Sequence, residues 1–382
     1  MSKMIVFCAD GTWNGPGQDD DGDRQPDPTN VYKLFCGLQG DMSVGTLTQA
    51  DEQEKELRDG NGALLQIAKY IHGVGDSRNP IRRIIGGAFG AGMIARIVRG
   101  YTFISRNYEP DDSIVLVGFS RGAYTVRALA GIIASQGLLA KLLTGDRETA
   151  YRAGAKAWYR YREQASKKAG FLQGLIEAMT DLPAFVSRDS LKDTDFVEIQ
   201  SIASVGVWDT VGALGLPNYI QEPGADAFKF TDRRLSPKVK KGFHALALDE
   251  QRADFVPTLW DKAENVVQVV FPGAHADVGG GYSMKNRESE LSDIALNWMV
   301  EQLASVGVKF GSPIFSVFHP SALGVAHQPW CSWPFNDPQR IAPRAFQKDS
   351  VQGHPSIDER KGKAVCPGPN LAPAVYSPTN WP

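Results

Sequence analysis

Short β-rich apolar runs alternate along the chain with longer segments of helical spacing, the pattern of a parallel sheet covered by helices. The run from Met4 to Ala9 predicts a first strand that ends at Asp10-Gly11-Thr12. The stretch behind it, Gly15 to Asn30, is rich in Gly, Pro and Asp and predicts an exposed loop. A second strand is expected at 67–72, closed by Gly73-Val74-Gly75-Asp76, and the Gly-rich stretch 84–98 reads as a tightly packed helix running on towards Tyr108. The clearest strand is 113–117, followed by Gly118-Phe119-Ser120-Arg121-Gly122 and a helix over 123–134 that Gly137 stops. Residues 140–192 read as an insertion: Tyr151, Trp158, Tyr159 and Tyr161 crowd one segment, and Phe171, Leu172, Leu175, Ile176 and Met179 have helical spacing in the next. Sheet-like patterning returns at 197–207 and 266–271. Beyond Cys331 the chain is Pro-rich and predicts a surface wrap with little regular structure.

Composition narrows the function classes. Lys and Arg number 41 against 43 Asp and Glu, a net charge of −2, so the chain lacks the basic excess that nucleic-acid binding requires. The four cysteines (Cys8, Cys36, Cys331, Cys366) lie far apart without C-x-x-C pairs, which supports neither a disulfide framework nor a zinc site. The N-terminal apolar run is too short for a signal peptide, and no uninterrupted apolar stretch reaches the ~18 residues of a membrane span. A soluble protein made in the cytoplasm is expected. Asp19-Asp20-Asp21-Gly22-Asp23 has the look of a calcium loop but lacks the glutamate at its twelfth position, and reads as a solvated acidic loop. Neither a P-loop nor a dinucleotide fingerprint follows any predicted strand. His72, His244, His319, His327 and His354 are isolated along the chain and read as structural.

The strongest chemical signal is a strand, then Gly118-x-Ser120-x-Gly122, then a helix. A nucleophile elbow needs that context. The serine sits on a sharp, strained turn, its neighbours must be small, and the helix N-terminus points at the hydroxyl. Serine at its ordinary pKa needs a base, itself held by an acid, and in α/β-hydrolases the chain order is Ser, Asp/Glu, His. Asp209 ends the run 202–207 and His275 follows the strand 266–271 in a Gly-dense loop. Asp249 is the alternative acid, and Asp277, two residues past the histidine, is a weaker rival. The oxyanion hole would use the N–H of Arg121 and one from Gly11 or Thr12. The chemistry calls for no metal and no organic cofactor. The fold expected is α/β, α/β-hydrolase-like: a mostly parallel sheet flanked by helices, with a core of 1–139 and 193–330, a helical cap at 140–192 that would meet lipid, and an extension, 331–382, packed on the core.

Five runs occur in the order of a known family: VFCADGTWN (6–14), GFSRGAYTVRALA (118–130), GVWDTVG (206–212), ALALDE (245–250) and FPGAHADVGGGY (271–282). Together they resemble the α/β-hydrolase domain family that includes type VI secretion phospholipase effectors, from about residue 3 to about residue 285. The resemblance implies a Ser-His-Asp lipase-like hydrolase, with Ser120 matching the elbow serine, His275 the histidine of the Gly-rich loop and Asp209 the acid. It also implies a lipid or other acyl-ester substrate, peripheral contact with a membrane, and delivery by a secretion machine. An effector would in addition meet an immunity protein or a component of the secretion apparatus. Other readings left open are a soluble small-ester esterase or thioesterase, and a non-catalytic binding protein on a hydrolase scaffold.

Overall fold

The computed structural model describes residues 2–11, 15, 26–46, 52–73, 89–169, 191–211, 233–311, 318–333, 335–347 and 349–381. Strand β1 (Met4–Ala9) leads to helix α1 (Asn30–Gly37), and β2 (Asp41–Met42), β3 (Glu52–Arg58) and β4 (Leu64–Ile71) follow. Helix α2 (Phe89–Asn107) precedes β5 (Ser113–Phe119), which runs straight into α3 (Ser120–Gln136). The segment after it holds β6 (Leu138–Leu139), α4 (Arg147–Ala169) and β7 (Phe196–Val197). The sheet resumes with β8 (Ile202–Trp208), β9 (Val239–Ala247) and β10 (Val266–Phe271). A short helix α5 (His275–Gly279) and the longer α6 (Glu290–Ser305) come next. The C-terminal part contributes β11 (Gln352–Gly353), α7 (Pro355–Arg360), β12 (Ala364–Val365) and β13 (Ala374–Val375).

The described strands form one nine-stranded sheet in the order β11-β10-β9-β8-β5-β1-β4-β3-β2. It is parallel from β11 through to β4, and antiparallel where β3 and β2 close one edge. This is the α/β architecture that the alternating pattern predicts. Buried on both faces, the central strands read as continuous apolar runs, as parallel strands do. In β1, Ile5, Phe7 and Ala9 join the core under α2, α3 and α4, while Met4, Val6 and Cys8 join the core under α1 and α6. A third, smaller cluster packs Leu246, Leu248 and Val270 against Phe346, Val351 and Ile357 of the C-terminal part.

Two stretches, the insertion and the C-terminal extension, bear on how the site is framed. The described half of the 140–192 insertion packs beside α2 and α3, with Ala153, Ala157 and Trp158 buried in the first core. Its Tyr161 lies against Gly131 and its Ala157 carbonyl takes a hydrogen bond from Gln136. Those α3 positions lie roughly 16 Å or more along the helix from Ser120 at 1.5 Å per residue. The first part of this stretch is therefore a helical layer against the core, and further along it Tyr161 and Arg162 come near Tyr124, one turn from Ser120. Phe171, Leu172 and Leu175, on which the lipid-meeting expectation rests, lie outside the described residues, as do the acidic loop 19–23 and Thr12. The C-terminal extension is also more regular than its prolines suggest, since β11 pairs in parallel with β10 at the edge of the main sheet.

Candidate active site

The site forms where ligands meet open α/β sheets, beyond the carboxyl ends of the strands. Phe119 and Trp208 are register partners at the ends of the adjacent strands β5 and β8. Ser120 and Asp209 therefore leave the sheet side by side. Both adopt left-handed backbone, with φ of 54° and 36°, a conformation that costs about 1–2 kcal/mol in a residue carrying a Cβ. At Ser120 the turn is sharp because two glycines permit it. A Cβ on Gly118 would lie 2.5 Å from the Gly122 carbonyl oxygen, and one on Gly122 would run into the Ala9 and Asp10 carbonyls of β1. The serine consequently opens α3 at its N-terminus, where backbone N–H groups and the helix dipole face an incoming negative charge.

His275 opens α5, just past β10, with its Nδ1 2.5 Å from Asp209 Oδ2. Its ring packs against Phe119, the residue before Ser120, at 4.6 Å between centroids, and edge-on against Phe255 at 5.0 Å. Burial lowers the imidazole's pKa below its ordinary value, against the pull of Asp209, so the ring is neutral at neutral pH and free to accept a proton. Asp209 is fully buried. Burial alone would raise its pKa, but Arg344 and His275 more than offset that and hold the carboxyl well below the carboxylate range. Arg344 grips both carboxylate oxygens, at 2.7 and 2.9 Å, and the Ala247 N–H donates to Oδ1 at 3.0 Å. The turn after Asp209 is held by His244, whose Nε2 accepts the Thr210 N–H at 3.1 Å. Burial, then the nearby Arg127, push the His244 pKa down to about 3, which keeps that nitrogen an acceptor.

The alternative acids serve other atoms. Asp249 accepts the Gly273 N–H at 2.7 Å and the Tyr376 hydroxyl at 2.9 Å, fastening the base of the histidine loop. Asp277 caps α5 through the Ala274 N–H and accepts from His327 Nδ1 at 2.6 Å. His275's own N–H donates to Glu250, which is paired with Arg252. Of the expected oxyanion donors, Arg121 stands in the first turn of α3, whereas the Gly11 N–H donates to its neighbour's carboxylate, Asp10 Oδ1, at 2.7 Å. Among the described residues no group of three or more His, Cys, Asp or Glu could hold a metal ion. Residues that the sequence reading did not single out also shape the site: Arg344, Glu250, Arg252, Phe255 and Asp10. Glu250 falls inside a run already recognised, but Arg344 sits in a stretch without periodicity, where no local pattern could have marked it.

Beyond Phe255 the surroundings are aromatic and cationic, with the Arg252 guanidinium over Phe255 at 3.5 Å and over Phe335 at 4.8 Å from the ring centroids. Phe335 packs edge-on to Phe255 at 5.8 Å, and the neighbouring Val256 and Trp333 are 66% and 68% exposed. Among the described residues no helix is long and apolar enough to cross a membrane.

Sheet, strand order and elbow define a protein of the α/β-hydrolase type. Within that class the chain belongs to the Tle1-like family of type VI secretion phospholipase effectors, whose catalytic-domain profile matches residues 3–302. An uncharacterised protein of Saccharomyces cerevisiae, YEL023C, is 28% identical over 267 residues, which are 66% of this chain and 32% of the yeast protein. A crystal structure of an uncharacterised protein from Pseudomonas aeruginosa is 20% identical with a TM-score of 0.43, covering 84% of this chain and 49% of that one. The structure of the Tle1 effector bound to the VgrG spike of the type VI secretion system is 15% identical with a TM-score of 0.45, covering 91% and 82%. The chain thus spans about a third of the yeast protein and about half of the Pseudomonas protein.

Proposed function

We propose that the protein is a serine hydrolase that cleaves carboxylic ester bonds of phospholipids through Ser120, His275 and Asp209. The observation that carries this reading is the buried Asp209–His275 pair, 2.5 Å apart, set beside a strained serine at the N-terminus of α3. In the cycle, Ser120 Oγ attacks the acyl carbon while His275 Nε2 takes the hydroxyl proton. Asp209 holds the ring by Nδ1 and stabilises the imidazolium. The oxyanion is received by the Arg121 N–H together with the Gly11–Thr12 backbone, where the prior commitment of the Gly11 N–H to Asp10 favours Thr12 as the second donor. Collapse of the tetrahedral intermediate expels the alcohol, which takes the proton back from His275. A water molecule, deprotonated by the same imidazole, then attacks the acyl-enzyme and releases the fatty acid.

The lipid part of the reading is supported by family membership. Family membership likewise extends the reading to delivery by a type VI machine, with a spike component as carrier and an immunity protein in the producing cell. The test is titration of fatty acid released from mixed phospholipid micelles, with a serine-directed fluorophosphonate as active-site label. Wild type is expected to be labelled and to release fatty acid. Ser120→Ala and His275→Ala should lose at least about 10⁴-fold in kcat. Labelling of Ser120 without phospholipid cleavage would redirect the reading to a soluble ester or thioester. Absence of both would leave a binding scaffold.

A further inference from the structure

The C-terminal extension sends one charged side chain into the proposed site. Arg344 lies beyond residue 302, where the family match ends, in a stretch without regular structure. It is nevertheless buried, with 7% of its surface exposed. Nη1 donates to Asp209 Oδ1 at 2.7 Å and to the Ala247 carbonyl at 2.8 Å. Nη2 donates to Asp209 Oδ2 at 2.9 Å and to the Phe255 carbonyl at 2.5 Å. The fork is thus tied to the end of β9 and to the loop whose Phe255 ring meets His275. A planar two-pronged donor fixes a carboxylate in orientation as well as position, which a single ammonium does not.

A base in a Ser-His-Asp arrangement makes two demands on its acid. The carboxylate must hold Nδ1 in one tautomer, yet a bare buried carboxylate would grip the imidazolium proton too tightly to return it. A guanidinium on the far side of the carboxylate meets both demands, pinning the oxygens and offsetting their charge. We propose that Arg344 is a positioning residue for the acid: it orients the Asp209 carboxylate towards His275 and sets the proton affinity of the Asp209–His275 pair, making the C-terminal extension part of the catalytic apparatus. The inference rests on the reading of Ser120, His275 and Asp209 given above.

Other charges face the pair. Glu250 and Arg252, from the β9–β10 connection, lie against His275 and are paired with each other. His244 of β9 stands beside Asp209 and is held neutral by burial. Asp277 of α5 is turned to His327. Arg344 also lowers the proton affinity of Glu250 and of His244, so its replacement removes positive charge from the whole carboxylate side of His275 and moves every one of these groups towards tighter proton binding.

The experiment compares Arg344→Met and Arg344→Lys with wild type in two readouts: pH profiles of kcat and KM on a soluble ester, with active serine counted by fluorophosphonate, and NMR titration of the His275 ring. Arg344→Met should lose roughly 100-fold in kcat, the scale of a 1 Å misplacement of a reacting group, with KM little changed. The pair, now carrying an uncompensated negative charge, binds its proton more tightly, so the acid limb and the NMR titration of His275 both move to higher pH. Arg344→Lys keeps the charge but loses the fork. Its acid limb should stay near that of wild type while kcat falls by an intermediate factor. If both variants lower thermal stability and kcat alike with acid limbs unmoved, Arg344 is only a structural strap and the proposal is overturned. Wild-type kcat in Arg344→Met overturns it equally. Should Arg344→Met not fold, Arg344→Lys decides, a reduced kcat at constant KM upholding the fork and an unchanged kcat overturning it. If wild type is neither labelled nor active on any ester, the catalytic reading has failed by itself. The NMR titration then judges Arg344 alone: an upward shift in the variant upholds the coupling, and no shift refutes it.

Discussion

Asp10 is a buried carboxyl beside the proposed site. It follows β1, buried, and receives the one Thr29 hydroxyl, which lies 2.9 and 2.8 Å from its two oxygens, the Tyr70 hydroxyl at 2.7 Å and the Gly11 N–H. These three donors are neutral, and they do not offset burial, which raises the carboxyl pKa from 3.8 to about 6. The sign follows directly. The folded chain holds the Asp10 proton more tightly than the unfolded chain, so this residue's contribution is fully present below pH 4 and is lost as pH rises through about 6. A shift of this size corresponds to about 3 kcal/mol. Urea denaturation of wild type and Asp10→Asn from pH 4 to 7.5 isolates the contribution, because other titrating groups cancel in the difference. The variant should gain on wild type as pH rises over that interval, whatever its stability at pH 4. A constant difference would mean that Asp10 is not protonated in the fold. Retaining a buried carboxylate here makes physical sense where the backbone of Gly11 must be held in one place, since it is this carboxylate that accepts the Gly11 N–H.

At the scale of elements, helix α5 is only five residues long, and its tight seat controls how His275 is presented. A Cβ at Gly279 would run into the Phe119 ring, the same ring that packs on His275 at 4.6 Å. Gly279→Ala should therefore lose about 1–3 kcal/mol of stability as an overpacked position, and it should lower kcat more than it raises KM, because Phe119 must move against the base. Thermal unfolding together with steady-state kinetics checks both parts, and a stable variant with wild-type kcat would contradict them. The legibility of such elements in sequence varies for reasons of burial. Strands β1, β5 and β10 are continuous apolar runs because both faces of the sheet are covered, and they emerge at 4–9, 113–119 and 266–271, close to or at the expected bounds. Strand β3 reads EQEKELR and gave no signal. It is antiparallel, lies near the sheet edge, and pairs its glutamates Glu52 and Glu54 with Lys69 of β4. Strand β9 was missed because Lys240, Lys241 and Gly242 break its first half before the apolar run 243–247 begins. Of the candidate site, the elbow, Asp209 and His275 lie at strand ends and were visible there. Arg344 gains its place only through long-range packing, which no window of neighbouring residues contains.

The whole molecule is held around the site by contacts distant in sequence. Helix α1, near the start of the chain, reaches α5 and α6: Asn30 donates to the carbonyls of Val278 and Ser292, and Lys33 pairs with Asp293 in a buried bridge at 2.8 Å. From the other end, the segment at 318–333 passes over α5 and delivers His327 to Asp277. His327 Nδ1 lies 2.6 Å from Asp277, its Nε2 3.4 Å from Glu288, and its ring stacks on Tyr282 at 3.4 Å between centroids. Burial opposes the charged form, but the two carboxylates outweigh it and raise the pKa above 6.5. An imidazolium can donate to both carboxylates at once, whereas a neutral ring donates only one proton. The contribution of this clasp is therefore fully present below pH 6.5, the unfolded value, and is lost as pH rises through the higher folded one. Replacing His327 by Gln removes the titration while keeping one donor. The difference in urea midpoint between wild type and His327→Gln should be largest at pH 6 and should shrink towards pH 9. A difference that stays constant over this range would show that the clasp works through the neutral ring, by packing and a single hydrogen bond. Because Asp277 also caps α5 through the Ala274 N–H, loosening the clasp acts on the turn that carries His275. The pH at which the strap weakens thereby also bears on how firmly the proposed base is held, two residues from the carboxylate that His327 grips.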